Sequence, residues 1–546
     1  MGAHRGSRRQ LRRQLSAPEA AIAGGDPAGL ARGPRVAVLV GVMGGVFLAA
    51  LESTVVVTAM PTIIASLGGI RVYSWVFSAF LLSSTVTMPL WGWLADQHGR
   101  RRTYLTGLGI FLAGSALSGL AQDMGQLVVF RAVQGIGAGS LITIGMTIIA
   151  DLYGLERRAR MQGYFSGVWG VASLVGPLLG GILVDQVSWR WVFYINVPFG
   201  LLAAAFIAWG LRHVANPGHR RPPFDYAGMA IFAAGVSCLV VGLVEGGRGA
   251  EWMRPLVVGL LVAAAGLLVT FVLIERRAPQ PLIPLALFAT PMVRAASATG
   301  FLAGMAMFGT LAYVPLFLQA VTGSSATQAG FVLTPFVLSW VVFSIVSARL
   351  SLRVGYRGLV ISGMAVLALS FLLFTGWNQG LTRGMAARDM LLAGIGMGMV
   401  FVPMLIAVQN AVPKNVLASA TSMTVFFRSI GGAVGVAAMG SAMSHRLVTG
   451  LGGLLDVAPP ELREGLRELV IHPDLVVNPA TRGHIPAELL VYIRGSLAEG
   501  LSAVFGVGLA VSLLALASAF LVPAGRAKEL AADGNRRPRK PATSRR

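Results

Sequence analysis

The chain has 546 residues, 55% hydrophobic and only 12% charged, with a formal net charge of +22 and a mean hydropathy of +0.72. Soluble domains run near a quarter charged, so this is the composition of a membrane protein. One cysteine, Cys238, excludes an intramolecular disulfide framework and a thiolate metal cluster. The seven histidines fall in expected loops and tails, so no metal site or intramembrane histidine relay is expected.

In chain order, apolar runs long enough to cross ~30 Å of hydrocarbon fall at about 36–66, 73–95, 104–121, 126–150, 162–184 and 191–211. A pair follows at about 226–245 and 255–274, then six more at about 296–319, 328–350, 358–376, 387–411, 419–443 and 500–522. The expected fold is therefore all-α and integral to the membrane, with fourteen spans arranged as six, an inserted pair, and six. Basic residues precede the first run as in a signal peptide. That run is too long and ends in no Ala-x-Ala site, which predicts a retained span. The segments are a basic tail (1–35), a first six-helix bundle (36–211), the inserted pair with its loops (212–295), a second bundle (296–522) and a basic tail (523–546). Within the second bundle, 445–499 forms a long outside connection. Leu462, Leu466 and Leu469 there have the spacing of a short amphipathic surface helix.

Charge sets the expected orientation. With both termini cytoplasmic, acids and bases balance in the outside segments and the whole surplus of +22 lies inside. That satisfies the positive-inside rule. The basic tails Arg5 to Arg13 and Arg536 to Arg546 then read as orientation signals and anionic-lipid contacts rather than as a nucleic-acid surface. Two six-span halves suit a rocking transporter with its substrate site between them.

Four segments carry chemistry. Between spans two and three lies Gly92-Trp93-Leu94-Ala95-Asp96-Gln97-His98-Gly99-Arg100-Arg101-Arg102, a tight turn in which one acid can change partners among bases. Span four opens Phe130-Arg131-Ala132-Val133-Gln134-Gly135-Ile136-Gly137, and an arginine there costs a few kcal/mol unless paired or hydrated. Span five carries Gly163, Gly167, Gly176-Pro177 and Gly180-Gly181, a flat face with a place to bend. Span one holds Glu52 near the middle of its apolar run, followed by Ser53, Thr54, Met60 and Pro61. A lone intramembrane carboxylate marks a functional site by default, the plainer reading being a structural partner for Arg131. It is expected to be the only acid in the twelve core spans.

Jointly these segments resemble the major facilitator superfamily, and within it the fourteen-span drug:proton antiporters. The turn is similar to the family's signature loop. The resemblance implies that Asp96, with Gly99, Arg100 and Arg101 and a neighbouring helix N-terminus, latches the outward-facing state; Gln97 stands where a base is common. The Arg131 segment resembles the motif implicated in proton coupling, and the span-five glycines resemble the antiporter motif, with Ala172 replacing one glycine. The span-one segment looks like that subfamily's own motif, with Glu52 where Asp is usual. Trp189 to Pro198 continues the likeness, as do Gly394, Gly396, Gly398 and Pro403, then Arg428-Ser429-Ile430-Gly431-Gly432. The resemblance implies a major facilitator fold and a multi-pass exporter in the cell membrane. Such an exporter would expel small amphipathic or lipophilic, including cationic, compounds, antibiotics among them, in exchange for protons. It would need no other cofactor. Glu52 and Arg131 would couple, with Gly396, Pro403 and Arg428 as second-half candidates. The alternative is a dedicated exporter of one metabolite, antibiotic or lipid, which a substrate panel separates from a broad pump. A membrane enzyme or receptor would need clustered carboxylates or a large soluble domain, which the chain lacks. Any outer-surface partner would dock on 445–499.

Overall fold

The computed structural model describes residues 32–67, 73–153, 155–212, 226–247, 252–278, 281, 283, 285–322, 324, 326–413, 416–457, 463 and 487–524. The first bundle comprises α1 (Arg32–Leu67), α2 (Tyr73–His98), α3 (Arg100–Leu120), α4 (Met124–Leu152), α5 (Leu155–Gln186) and α6 (Trp191–Gly210). The inserted pair is α7 (Tyr226–Gly247) and α8 (Pro255–Glu275). A short 3-10 turn, Leu285–Ala289, leads into the second bundle. That bundle comprises α9 (Pro291–Ala320), α10 (Ala326–Val354), α11 (Tyr356–Thr375), α12 (Arg383–Ala411), α13 (Leu417–Val457) and α14 (Ala487–Ala519). Each predicted span thus lies on a helix, and 11 helices among the described residues are long and apolar enough to cross a membrane. The fourteen-span reading is compatible with that number.

Helix ends follow local chemistry. Asp123 caps α4 by accepting from the Gln126 amide at 2.8 Å, and Thr382 caps α12 through the Met385 amide at 3.3 Å. Pro255 and Pro291 open α8 and α9, where the missing N–H has no helical partner to lose. Gly99 and Gly355 take φ of 87° and 83° between α2 and α3 and between α10 and α11. Only glycine holds that left-handed geometry without strain, so the same tight turn recurs in both bundles. α6 is broken at Ile195, because Pro198 has no N–H for the Tyr194 carbonyl. The long connection expected over 445–499 is shorter than that: α13 runs on through His445 to Val457, and α14 starts at Ala487. Apolar residues continue in helical register past the predicted boundary at 443, which a span-length criterion does not detect. Leu462, Leu466 and Leu469 lie outside the described residues.

The two bundles repeat one packing scheme. In the first, α1 packs on α5 and α6, α2 on α4, and α3 on α4 and α6. In the second, α9 packs on α13 and α14, α10 on α12, and α11 on α12 and α14. Small residues set the crossings. A Cβ at Gly431 would run into the Phe301 carbonyl of α9, and one at Gly435 would lie 2.5 Å from the Met305 Cα. In lipid, where no hydrophobic force draws helices together, such close backbone contact supplies the association. The bundles meet along α2–α13 and α5–α10. The inserted pair lies beside the first of these seams: α7 touches both α2 and α13, and Phe232 packs against Phe271 of α8 and Phe426 of α13 at 5.0 and 5.6 Å.

Gly431→Ala should therefore destabilise the purified protein by about 1–3 kcal/mol, the usual cost of overpacking. Gly259, on an open face of α8, is the control. Thermal unfolding in detergent checks this, with a lower Tm expected for Gly431→Ala and no loss for Gly259→Ala.

Candidate functional site

Glu52 and Arg131 are each 1% exposed and form an ion pair in the interior of the first bundle. Five helices build the surroundings. Arg131 of α4 also donates to Gln134 Oε1 at 2.7 Å and, through Nε, to the Val76 carbonyl of α2 at 3.3 Å. Its guanidinium lies 4.2 Å from the centre of the Phe80 ring, which suits the planar cation. Asn196 of α6 donates its amide to Glu52 Oε2 at 2.5 Å and to Ser115 Oγ of α3 at 3.0 Å. Ser115 in turn donates to the Phe193 carbonyl at 2.8 Å, just before the break in α6. Asn196 thus stands just after the break and is tied through Ser115 to the Phe193 carbonyl just before it.

The sequence pairing of Glu52 with Arg131 is realised, and the arginine is not a surface-seeking one. Asn196, Gln134 and Ser115 were not expected as its partners. The available signal was Asn196 two residues before a proline inside an apolar run.

A second polar group joins the two bundles. Asp96, at the end of α2, accepts from Arg100 Nη1 at 2.7 Å. It also accepts from the Ala418 amide at 3.3 Å, the Ser419 amide at 2.9 Å and Ser419 Oγ at 2.7 Å. Since α13 begins at Leu417, Asp96 caps that helix from the other bundle, where a carboxylate meets free amides and the positive end of the dipole. Arg100 is shared with Asp151 of α4 at 2.9 Å. Arg101 makes no ion pair among the described residues, so Asp151, missed by the sequence, takes the place expected for a second base–acid contact. Gly92 lets α2 approach, since a Cβ there would lie 2.9 Å from the Ala418 carbonyl.

The glycines of α5 face α10: a Cβ at Gly163 would lie 3.0 Å from Ile345 Cα, and one at Gly170 would lie 2.7 Å from Val341. Gly176 and Gly180 are buried on the same helix, while the side-chain surroundings of Pro177 and Gly181 lie outside the described residues. In the second bundle Gly396 packs against the Gly363 carbonyl of α11, Pro403 is buried inside α12, and Arg428 lies over the Phe401 ring at 5.2 Å.

One expectation is corrected. Glu52 is not the only acid in the core bundles, because Asp389 of α12 is also 1% exposed. It accepts from Trp377 Nε1 at 2.9 Å and from Arg388 at 2.7 Å. Trp377 is packed among Phe317, Phe374 and Phe505 at 4.8–5.4 Å. The helix starts at Arg383, so a residue placed by hydropathy at the edge of the span sits under an aromatic cluster instead. Its fixed partners make Asp389 a structural anchor.

With this geometry in view, the comparisons are decisive. The family profile of the Major Facilitator Superfamily matches residues 42–436. The chain belongs to that superfamily. It is 35% identical to the "Multidrug transporter protein MdtP" of Bacillus subtilis, covering 91% of this chain and 95% of that one. It is 33% identical to the "Multidrug resistance protein 3" of the same organism, covering 90% and 96%. Among solved structures, the human organic anion transporter MFSD10 (TETRAN) aligns with a TM-score of 0.56 at 17% identity, over 88% of this chain and 99% of that one. The chain is therefore a multi-pass membrane transporter of the multidrug exporter type and not an enzyme.

Removing one member of a buried ion pair leaves an uncompensated charge, which costs about 3–5 kcal/mol, whereas replacing both is far milder. Arg131→Met alone should therefore lower thermal stability sharply. The double variant Glu52→Gln with Arg131→Met should recover much of the loss. Additive losses in that cycle would show that the pair is not coupled.

Proposed function

We propose that the chain is a proton-driven antiporter that exports small amphipathic or lipophilic compounds from the cytoplasm, with both termini cytoplasmic and protons as the coupling ion. The observation that carries this reading is Glu52, an acid held by five helices in the interior of one bundle beside an arginine with alternative acceptors. When Glu52 takes up a proton from outside, Arg131 still has Gln134 Oε1 and the Val76 carbonyl. The cation thus keeps hydrogen-bond acceptors while its charge is unmatched, and that unmatched charge favours release of the proton. Release of that proton inward restores the bond. The relatives, a multidrug transporter and a multidrug resistance protein by name, support export of diverse compounds.

Asp96 supplies the conformational half. On the proposed orientation its contact with α13 closes the cytoplasmic end, so the described state is sealed inward. Opening that end must break the bonds to Ala418 and Ser419. A proton-motive force of ~150 mV gives about 3.5 kcal/mol per proton, enough for a gradient of about 300-fold for a neutral solute. Anionic-lipid contacts by the basic tails belong to the same proposal.

Glu52→Gln keeps size and hydrogen bonding but cannot titrate. In energised vesicles it should abolish proton-driven efflux while protein level persists, and Glu52→Asp should retain activity. Wild-type rates for Glu52→Gln under separately imposed pH and voltage gradients would overturn the coupling role. Asp96→Asn should weaken the seam, raise labelling of cysteines placed beside Ser422 from the cytoplasmic face, and slow transport. Unchanged labelling together with normal transport would remove Asp96 from the mechanism.

A further inference from the structure

Arg428 is the charge inside the second bundle that the coupling scheme leaves unused. It lies eleven residues into α13, roughly 17 Å along the helix axis, and so near mid-membrane. Its contrast with Arg131 is chemical. Arg131 has a carboxylate, an amide and a backbone carbonyl, whereas Arg428 makes no ion pair or hydrogen bond among the described residues, and its buried Nε has no acceptor. What it has is the Phe401 ring of α12, 5.2 Å away. The same ring packs against Trp340 of α10, with centroids 6.2 Å apart and planes inclined by 51°. The indole Nε1 of Trp340 is buried and likewise without an acceptor, as is the hydroxyl of Ser344 one turn along the same helix. Buried donors are almost always satisfied, so three in one neighbourhood are a feature to be explained.

Their partial exposure is internal. No described residue of α13 from Leu417 to Met443 is exposed, and none of α12 from Leu392 to Asn410. Arg428 and Phe401, both half-buried, therefore open into the protein and not onto lipid. On α10 the exposed positions Leu338, Val342 and Val346 define the outer face, and Trp340 lies on the opposite side of the helix. Gly398 draws α12 and α10 together here, since its Cβ would lie 2.7 Å from the Trp340 carbonyl.

We propose that Arg428, Trp340 and Phe401 form an anion-recognising subsite of the second bundle that takes a planar aromatic carboxylate. The carboxylate accepts from the guanidinium and the indole N–H, and the ring lies against Phe401 and Trp340. The inference rests on the exporter reading above. It extends the expected range of amphipathic and lipophilic compounds, cationic ones included, to anions.

The test is equilibrium binding to the full chain in lipid nanodiscs, with no gradient, using anthracene-9-carboxylate and its methyl ester. The wild type should prefer the carboxylate roughly tenfold to a hundredfold, the worth of a charge-assisted hydrogen bond. Arg428→Gln should erase that preference and Arg428→Lys should keep part of it. Trp340→Phe, which keeps a ring and the charge, should weaken the carboxylate more than the ester. Should Arg428→Gln fail to fold, the Lys and Phe variants decide. Equal affinity of the wild type for acid and ester, or a preference unchanged by the variants, would mean an arginine that is merely hydrated and would overturn the subsite. Failure of proton-driven efflux in Glu52→Gln vesicles bears on the coupling proposal alone, since binding here is read without transport.

Discussion

Charge inside hydrocarbon must be matched within the protein, because no solvent is there to do it, and most of the polar architecture of this chain answers to that requirement. The Glu52–Arg131 pair is its fullest expression. Matching the two charges with each other is not sufficient, since a carboxylate has further lone pairs and a guanidinium further N–H groups. Asn196, Gln134 and the Val76 carbonyl meet those demands. Each comes from a different place in the chain, so the site can exist only if α1, α2, α4 and α6 are all in register. The ion pair and the fold of the first bundle therefore specify one another.

The repeated packing scheme shows how that bundle is duplicated without duplicating its chemistry. The turns at Gly99 and Gly355 and the small-residue crossings recur in both halves. The mid-membrane charges do not. The first bundle holds an ion pair of zero net charge; the second holds an arginine that makes no ion pair among the described residues and lies over the Phe401 ring. A scaffold whose halves are alike in backbone and unlike in polar content can keep the two proposed roles, proton coupling and anion recognition, on separate bodies. Between them, the Asp96 contact draws its strength from a helix terminus, whose amides are free only because α13 begins there. Such a contact breaks cleanly when the helix end moves away, without disturbing hydrogen bonds inside either bundle.

Much of this was legible in the sequence. Each apolar run read from hydropathy falls on a helix, because an unbroken apolar run has few other meanings, and the Asp96 turn and the Arg131 segment are local in sequence. What hydropathy could not give were partners brought together by packing. Asn196 looks like one polar residue in an apolar run until Pro198 is seen to break the helix. Asp151 is a loop acid until α4 is placed beside Arg100. Asp389 shows the limit most sharply: a residue near a span boundary has no defined depth in sequence, and only the aromatic packing of Trp377 makes it buried. The end of α13 failed for the same reason, because helices need not stop where the membrane does.

The inserted pair gains meaning from where it sits. α7 touches α2 and α13, the two helices that Asp96 joins, and Phe232 bears on Phe426 in α13. Trp252, at the hairpin between α7 and α8, donates to Ser441 of α13 at 2.7 Å. The pair is thus held to the second bundle at two depths by a ring contact and a hydrogen bond, and its described contact with the first bundle is through α2. On the proposed alternating access, an element tied more firmly to one bundle travels with it and slides on the other. The surface that slides is then α7 against α2, and the seam beside Asp96 is flanked by helices that move with α13. Opening at that end must separate α2 from α13 and from the inserted pair together, which makes the seam wider, and its closed state more stable, than two bundles alone would provide.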